Sequence, residues 1–107
     1  MKIQVLNEMA NLSKEDTNLP YDIWMDSSGI DRAVKHNLPR LKVDIEGNKI
    51  PISISNEPKV LVKNKSKDDI PKFRLLVKFI RNNLKVLLKH WRKEINDNTM
   101  KISIKSI

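Results

Sequence analysis

The chain carries few groups able to do chemistry, and their spacing narrows the field further. It has two histidines, His36 and His90, and no cysteine. Without a thiolate there is no disulfide, no cysteine nucleophile and no Cys-ligated zinc. Neither histidine has a second one three or four residues away, the spacing that puts two imidazoles of a helix on one metal. Asp26 and Asp31, with serines between them, match a calcium loop in composition only. The alternating oxygen ligands, the sixth-position Gly and the twelfth-position Glu are missing. Ser27, Ser28 and Ser53 lack a Gly-x-Ser-x-Gly elbow and a histidine partner. The only glycines are Gly29 and Gly47, so no glycine-rich phosphate loop exists. These residues assign no catalytic group, metal or cofactor, and they favour a non-enzymatic protein. A small nuclease using His36 or His90 as its acid–base is the enzymatic rival.

The strongest pattern is cationic. Arg74, Lys78, Arg81, Lys85, Lys89 and Arg92 recur at spacings of 4, 3, 4, 4 and 3. At 100° per residue all six fall within about 80° of a helix surface. Like charges at i, i+4 cost an isolated helix about 0.2–0.5 kcal/mol per pair. Net charge is +8, and residues 59–93 hold twelve Lys or Arg against only Asp68 and Asp69. Such a field suits a polyanionic partner. Two partners fit: an acidic protein, or the phosphates of a nucleic acid. Aromatic content of 5% offers no stacking platform for single strands, so an acidic protein is the preferred expectation. The plainer alternative is a solvated helix face.

The elements that must position this stripe follow from hydropathy. Residues 1–6 alternate weakly, as a strand would, and residues 7–20 read as an acidic loop or short helix. Tyr21, Ile23 and Met25 alternate with polar neighbours and predict a strand. The same period of two runs through Arg40–Glu46, with Leu41, Val43 and Ile45 apolar. It continues through Lys49–Ser55, with Ile50, Ile52 and Ile54 apolar. Gly47-Asn48 between them predicts a hairpin with a type II′ turn. Pro51 has no amide hydrogen, so its nitrogen must face an edge or a bulge. Val60, Leu61 and Val62 extend the expected meander, which spans residues 21–63.

A helical segment is expected over 68–95, capped by Asp68 or Asp69 with Pro71 in its first turn. Phe73, Leu76, Val77, Ile80, Leu84, Leu87, Leu88, Trp91 and Ile95 form an apolar stripe about 120° wide. The basic stripe lies beside it. The segment is either one helix of roughly 25 residues or two helices broken at Asn82-Asn83. Leu75, Phe79 and Val86 fall outside the apolar stripe, and His90 falls about 100° from it. Either a break turns the three apolar residues inward, or other parts of the chain cover them, or they form an intermolecular patch. Leu75, Phe79, Val86 and His90 are therefore the candidate interface. Met100, Ile102 and Ile104 alternate and predict a last strand over 100–105.

His36-Asn37-Leu38-Pro39-Arg40-Leu41-Lys42-Val43, a short hairpin, and then Asn83-Leu84, Leu87-Leu88 and His90-Trp91 resemble a family of short bacterial proteins of unknown function. The likeness spans about residues 20–95. The family's usual pattern places His where Arg40 and Lys42 stand here. The resemblance implies a small interaction module from a gene pair of toxin–antitoxin type.

At 107 residues the chain makes one domain, residues 1–107. Its 39% apolar content is enough for a core. No apolar run approaches the roughly 18 residues of a membrane span, and residues 1–10 lack a signal peptide's apolar region; a cytoplasmic location is expected. The expected fold is α+β: an antiparallel meander of four or five strands, with one long or two short C-terminal helices packed on one face.

Overall fold

A computed structural model describes residues 9–26 and 38–107. The expected strand at 1–6 and the segment containing His36 lie outside them. The fold is α+β. Four strands, β1 (Met9–Leu12), β2 (Ile23–Asp26), β3 (Arg40–Ile45) and β4 (Asn48–Ser53), form an antiparallel meander in sequence order. A one-turn helix, α1 (Lys14–Thr17), joins β1 to the segment before β2. Three helices follow the sheet: α2 (Phe73–Asn82), α3 (Leu84–Trp91) and α4 (Asp97–Ser103).

Strand alternation decides which face is covered. Leu12, Ile23, Met25, Leu41, Val43, Ile50 and Ile52 are buried, and they share one core with Leu76, Phe79, Ile80, Leu87 and Met100 of the helices. Each such side chain removed from water contributes about 1.5–3 kcal/mol before entropy is counted. Asn11, Trp24, Lys42 and Pro51 succeed one another across the opposite face. There the Lys49 ammonium sits 5.1 Å from the centre of the Trp24 ring.

The hairpin forms with the expected face inward, but its turn lies one residue early. Ile45 pairs with Asn48, leaving Glu46-Gly47 as the two-residue loop. Both have positive φ, 52° and 88°, which makes the turn type I′ rather than II′. Asp44 fixes it by accepting the Gly47 N–H at 2.9 Å. Cross-strand partners move by two residues, to Val43↔Ile50 and Leu41↔Ile52, and a shift of two preserves the face. The expected third strand at 60–62 shrinks to one bridge, Ile52↔Val60. The Leu61 N–H donates to the Pro51 carbonyl at 3.0 Å. Proline has no N–H to return, so the ladder stops there.

Residues 7–20 hold more structure than an acidic loop. Ser13 and Asp16 form a reciprocal capping box that starts α1. Tyr21, buried just before β2, donates its hydroxyl to the Pro71 carbonyl at 2.8 Å. Burial pushes its pKa from 10.0 up to about 12.

The start of the helical segment also differs from expectation. Ser66, not Asp68 or Asp69, caps a 3-10 turn at Lys67–Asp69, while Asp69 returns a bond to the Ser66 N–H. Pro71 precedes α2, which opens after Lys72 at φ 52°. The segment is two helices, parted at Asn83 (φ −118°, ψ 18°). At the junction the Asn83 N–H is shared between the Phe79 and Ile80 carbonyls, at 3.1 and 3.2 Å, and the Asn83 side chain also donates to the Phe79 carbonyl, at 2.9 Å.

The expected strand over 100–105 is helix α4, with an extended tail from Ile104. Asn96 caps it by accepting the Thr99 N–H at 2.7 Å. Met100 and Ile104, four apart, satisfy a helix as well as a strand. Ile102 decides between them: it is 79% exposed, while Met100 is fully buried.

Candidate functional site

The helix pair positions the basic stripe, and its orientation follows from which residues go inward. The buried positions are Leu76, Phe79, Ile80, Asn83, Leu87, His90 and Trp91. Their spacing, 3, 1, 3, 4, 3 and 1, is helical throughout. This face is centred about 60° from the apolar stripe read from sequence. The rotation comes from Phe79, Asn83 and His90, which go inside, and from Phe73, Val77, Leu84, Leu88 and Ile95, which stay half-buried at the edge. The shared helical phase of Phe79, Asn83 and His90, with Asn and His admitted to the interior, is the signal that would have found the true face.

The rotation relocates the other candidates. Phe79 is in the core at 0% exposure and His90 at 2%, so neither offers a surface to a partner. Leu75 and Val86 are half-buried flanks of the same face, packed against the core. In each helix the basic residues now stand about 180° from the buried ones, opposite rather than beside them. Arg74, Lys78, Arg81, Lys85, Lys89 and Arg92 are all exposed. Among the described residues none of the six has a salt-bridge partner. Arg81 alone is tethered, its Nε donating to the Asn56 carbonyl at 2.7 Å. Five cations stand exposed, and the sixth joins the ridge to the loop after β4.

The buried polar residues serve different neighbours. The Asn83 amide binds the Lys105 backbone on both sides. Its Nδ2 donates to the Lys105 carbonyl at 3.0 Å, and its Oδ1 accepts the Lys105 N–H at 2.8 Å. The tail then continues to Ile107, whose N–H donates to the Thr17 carbonyl at 2.9 Å. His90 Nε2 lies 2.7 Å from Asp97 Oδ1. A carboxylate only accepts, so Nε2 carries the proton and donates.

A cleft of about 550 Å³ opens beside His90 and Asp97, lined also by Lys93, Glu94 and Asn96. The sequence pairs no carboxylate with His90, yet Asp97 is one. A histidine oriented by a carboxylate is the frame of a general base. The arrangement here lacks the second half of that frame. Nε2 is occupied by Asp97, and Nδ1 is buried without a partner. Neither nitrogen is presented to a substrate, so the pair acts as a tie from α3 to α4. Among the described residues no three His, Cys, Asp or Glu side chains gather where they could hold a metal ion. No described helix is long and apolar enough to cross a membrane.

Comparison of the chain with protein-family models, curated proteins and solved structures gave no match.

Proposed function

We propose that the chain is a non-enzymatic protein-binding module whose basic ridge on α2 and α3 docks an acidic surface of a partner protein. The observation that carries this reading is the ridge itself. Six cations occupy the outward side of two consecutive helices without a salt-bridge partner among the described residues. A face built only for solubility has both signs interspersed. Opposed charge on a partner would speed encounter and fix its orientation. The family resemblance extends the proposal to a bacterial gene pair of toxin–antitoxin or inhibitor type, with the acidic partner encoded alongside.

Replacing Lys78, Lys85 and Lys89 by Glu tests the ridge while leaving the Arg81 tether intact. The wild-type protein should capture a protein from source-cell extract that survives nuclease treatment, and the triple variant should lose it. Capture that disappears with nuclease would instead assign the ridge to phosphates. Affinity for nucleic acid would then fall steeply with salt, at a slope set by the phosphates neutralised.

A further inference from the structure

The ridge supplies charge, and interfaces draw most of their affinity from a few side chains buried in pockets. Leu38 and Leu61 are two of only three large hydrophobics exposed among the described residues, at 55% and 37%. They stand together. Both line a groove of about 520 Å³ whose inner wall includes Ile54, and both line a second groove of about 290 Å³ beside Pro51. Lys59 borders the larger groove and Lys42 the smaller, with Glu57 also on the larger rim. Asn56 lines the larger groove and is the residue whose carbonyl holds Arg81. The apolar groove is thus joined to the basic ridge through one hydrogen bond.

We infer that the groove between Leu38 and Leu61 receives an apolar side chain of the same acidic partner, the anchor of the contact whose charge the ridge reads. The occupant follows from complementarity. Leucine walls favour an aliphatic or aromatic group. Lys42 and Lys59 on the rims favour carboxylates flanking it. The inference rests on the protein-binding reading of the ridge, and its test separates the two.

The probes are two acidic eleven-residue peptides, glutamates throughout except for a central Leu in one and Ser in the other, and a single-stranded oligonucleotide of similar charge. Binding is followed by backbone amide shifts of the labelled protein. The Leu peptide should bind about tenfold more tightly than the Ser peptide, with shifts at residues 54–61. Leu61→Glu and, separately, Leu38→Glu should each abolish that preference. Both positions are exposed, and retained melting temperatures would confirm that the variants fold. The triple ridge variant should weaken both peptides while keeping their ratio. Equal binding of the two peptides to the wild type, or a preference surviving both leucine variants, overturns the anchor groove and leaves the ridge reading standing. Binding of the oligonucleotide with neither peptide bound at millimolar concentration overturns both.

Discussion

Among the described side chains of the four strands every buried one is apolar, whereas the buried face of α2 and α3 has Asn83 and His90 in its midst. The two layers meet in one core, but they are closed by different means. The sheet needs no polar group inside, because its backbone is satisfied by the ladder and its side chains only exclude water. The helical layer must also hold what comes after it. Asn83 grips Lys105, and His90 grips Asp97 at the start of α4. Polar groups buried this way add direction to the packing: they fix where two later segments lie. The difference teaches that a polar residue in phase with a core face is best read as a fastening for another segment.

The largest effect expected from breaking this contrast lies on the sheet side. Ile52 is fully buried and pairs with both Leu41 and Val60. Ile52→Ala should cost about 2–5 kcal/mol, measured by denaturant unfolding. A smaller loss than from Asn83→Ala would reverse the ranking of the two layers.

Asn83→Ala comes next. It removes three hydrogen bonds and leaves the Lys105 N–H and carbonyl without their partner. Lys105 is exposed, so water replaces part of the loss; three hydrogen bonds at about 0.5–1.5 kcal/mol each are partly offset because Ala is the better helix former. We expect a net loss of about 2 kcal/mol. Hydrogen exchange should accelerate at residues 104–107 first, before the strands. Uniform acceleration would show that Asn83 supports the fold at large and does not fasten the tail in particular.

These two residues also show how far the sequence could be read. The period of two around Leu41, Val43, Ile50 and Ile52 found the hairpin and its inner face, since one face of a sheet strand is plainly apolar. It missed the turn by one residue, because Glu46 gives no hint that it accepts positive φ. The six cations were found as a stripe because their spacing is intrinsic to any helix. Their position opposite the core was not, because that depends on which face is buried: Phe79, Asn83 and His90 go inward, while Phe73, Val77, Leu84 and Leu88 stay at the flank. The α4 helix was missed because Met100, Ile102 and Ile104 alternate as a strand would, and only the Asn96 cap points to a helix. The groove beside Leu38 and Leu61 was illegible for a different reason: segments distant in sequence meet there.

Tyr21 supplies a titratable probe of the link between sheet and helices. Its hydroxyl reaches Pro71, ahead of α2. Folding raises its pKa from 10.0 to about 12, so the neutral phenol is favoured in the folded state. Its contribution is therefore complete below pH 10 and is lost as pH rises through 12. Tyr21→Phe should cost about 1 kcal/mol at pH 7, from the lost hydrogen bond. Because Phe does not titrate, the gap between variant and wild type should close and then reverse between pH 10 and 12. A gap that stays constant across that window would mean the phenol is not desolvated by folding. Comparing the two proteins at each pH removes the lysines' own titration from the result.

The smallest effect is a gain in stability, and it tests how the helical layer ends. Arg92 closes α3, after which Lys93 takes φ 65°. The Lys93 N–H bonds the His90 carbonyl at 3.0 Å, and the Glu94 N–H bonds the Lys89 carbonyl at 2.9 Å. This pair of bonds is the Schellman motif, whose left-handed position ordinarily belongs to glycine. A Cβ there costs roughly 1–2 kcal/mol, while glycine loses more chain entropy on folding. Lys93→Gly should therefore stabilise the protein by about 0.5–1 kcal/mol. The contrast with the sheet gives the control. Glu46 also has positive φ, but the adjoining Gly47 and the ladder already hold its turn, and Glu46→Asn should gain a similar amount by matching the preference of a type I′ turn. The two gains should add, since the sites share no partner. A loss of stability in Lys93→Gly would mean that the lysine side chain contributes to the cleft beside His90, and the tie between α3 and α4 would then extend beyond the His90–Asp97 pair.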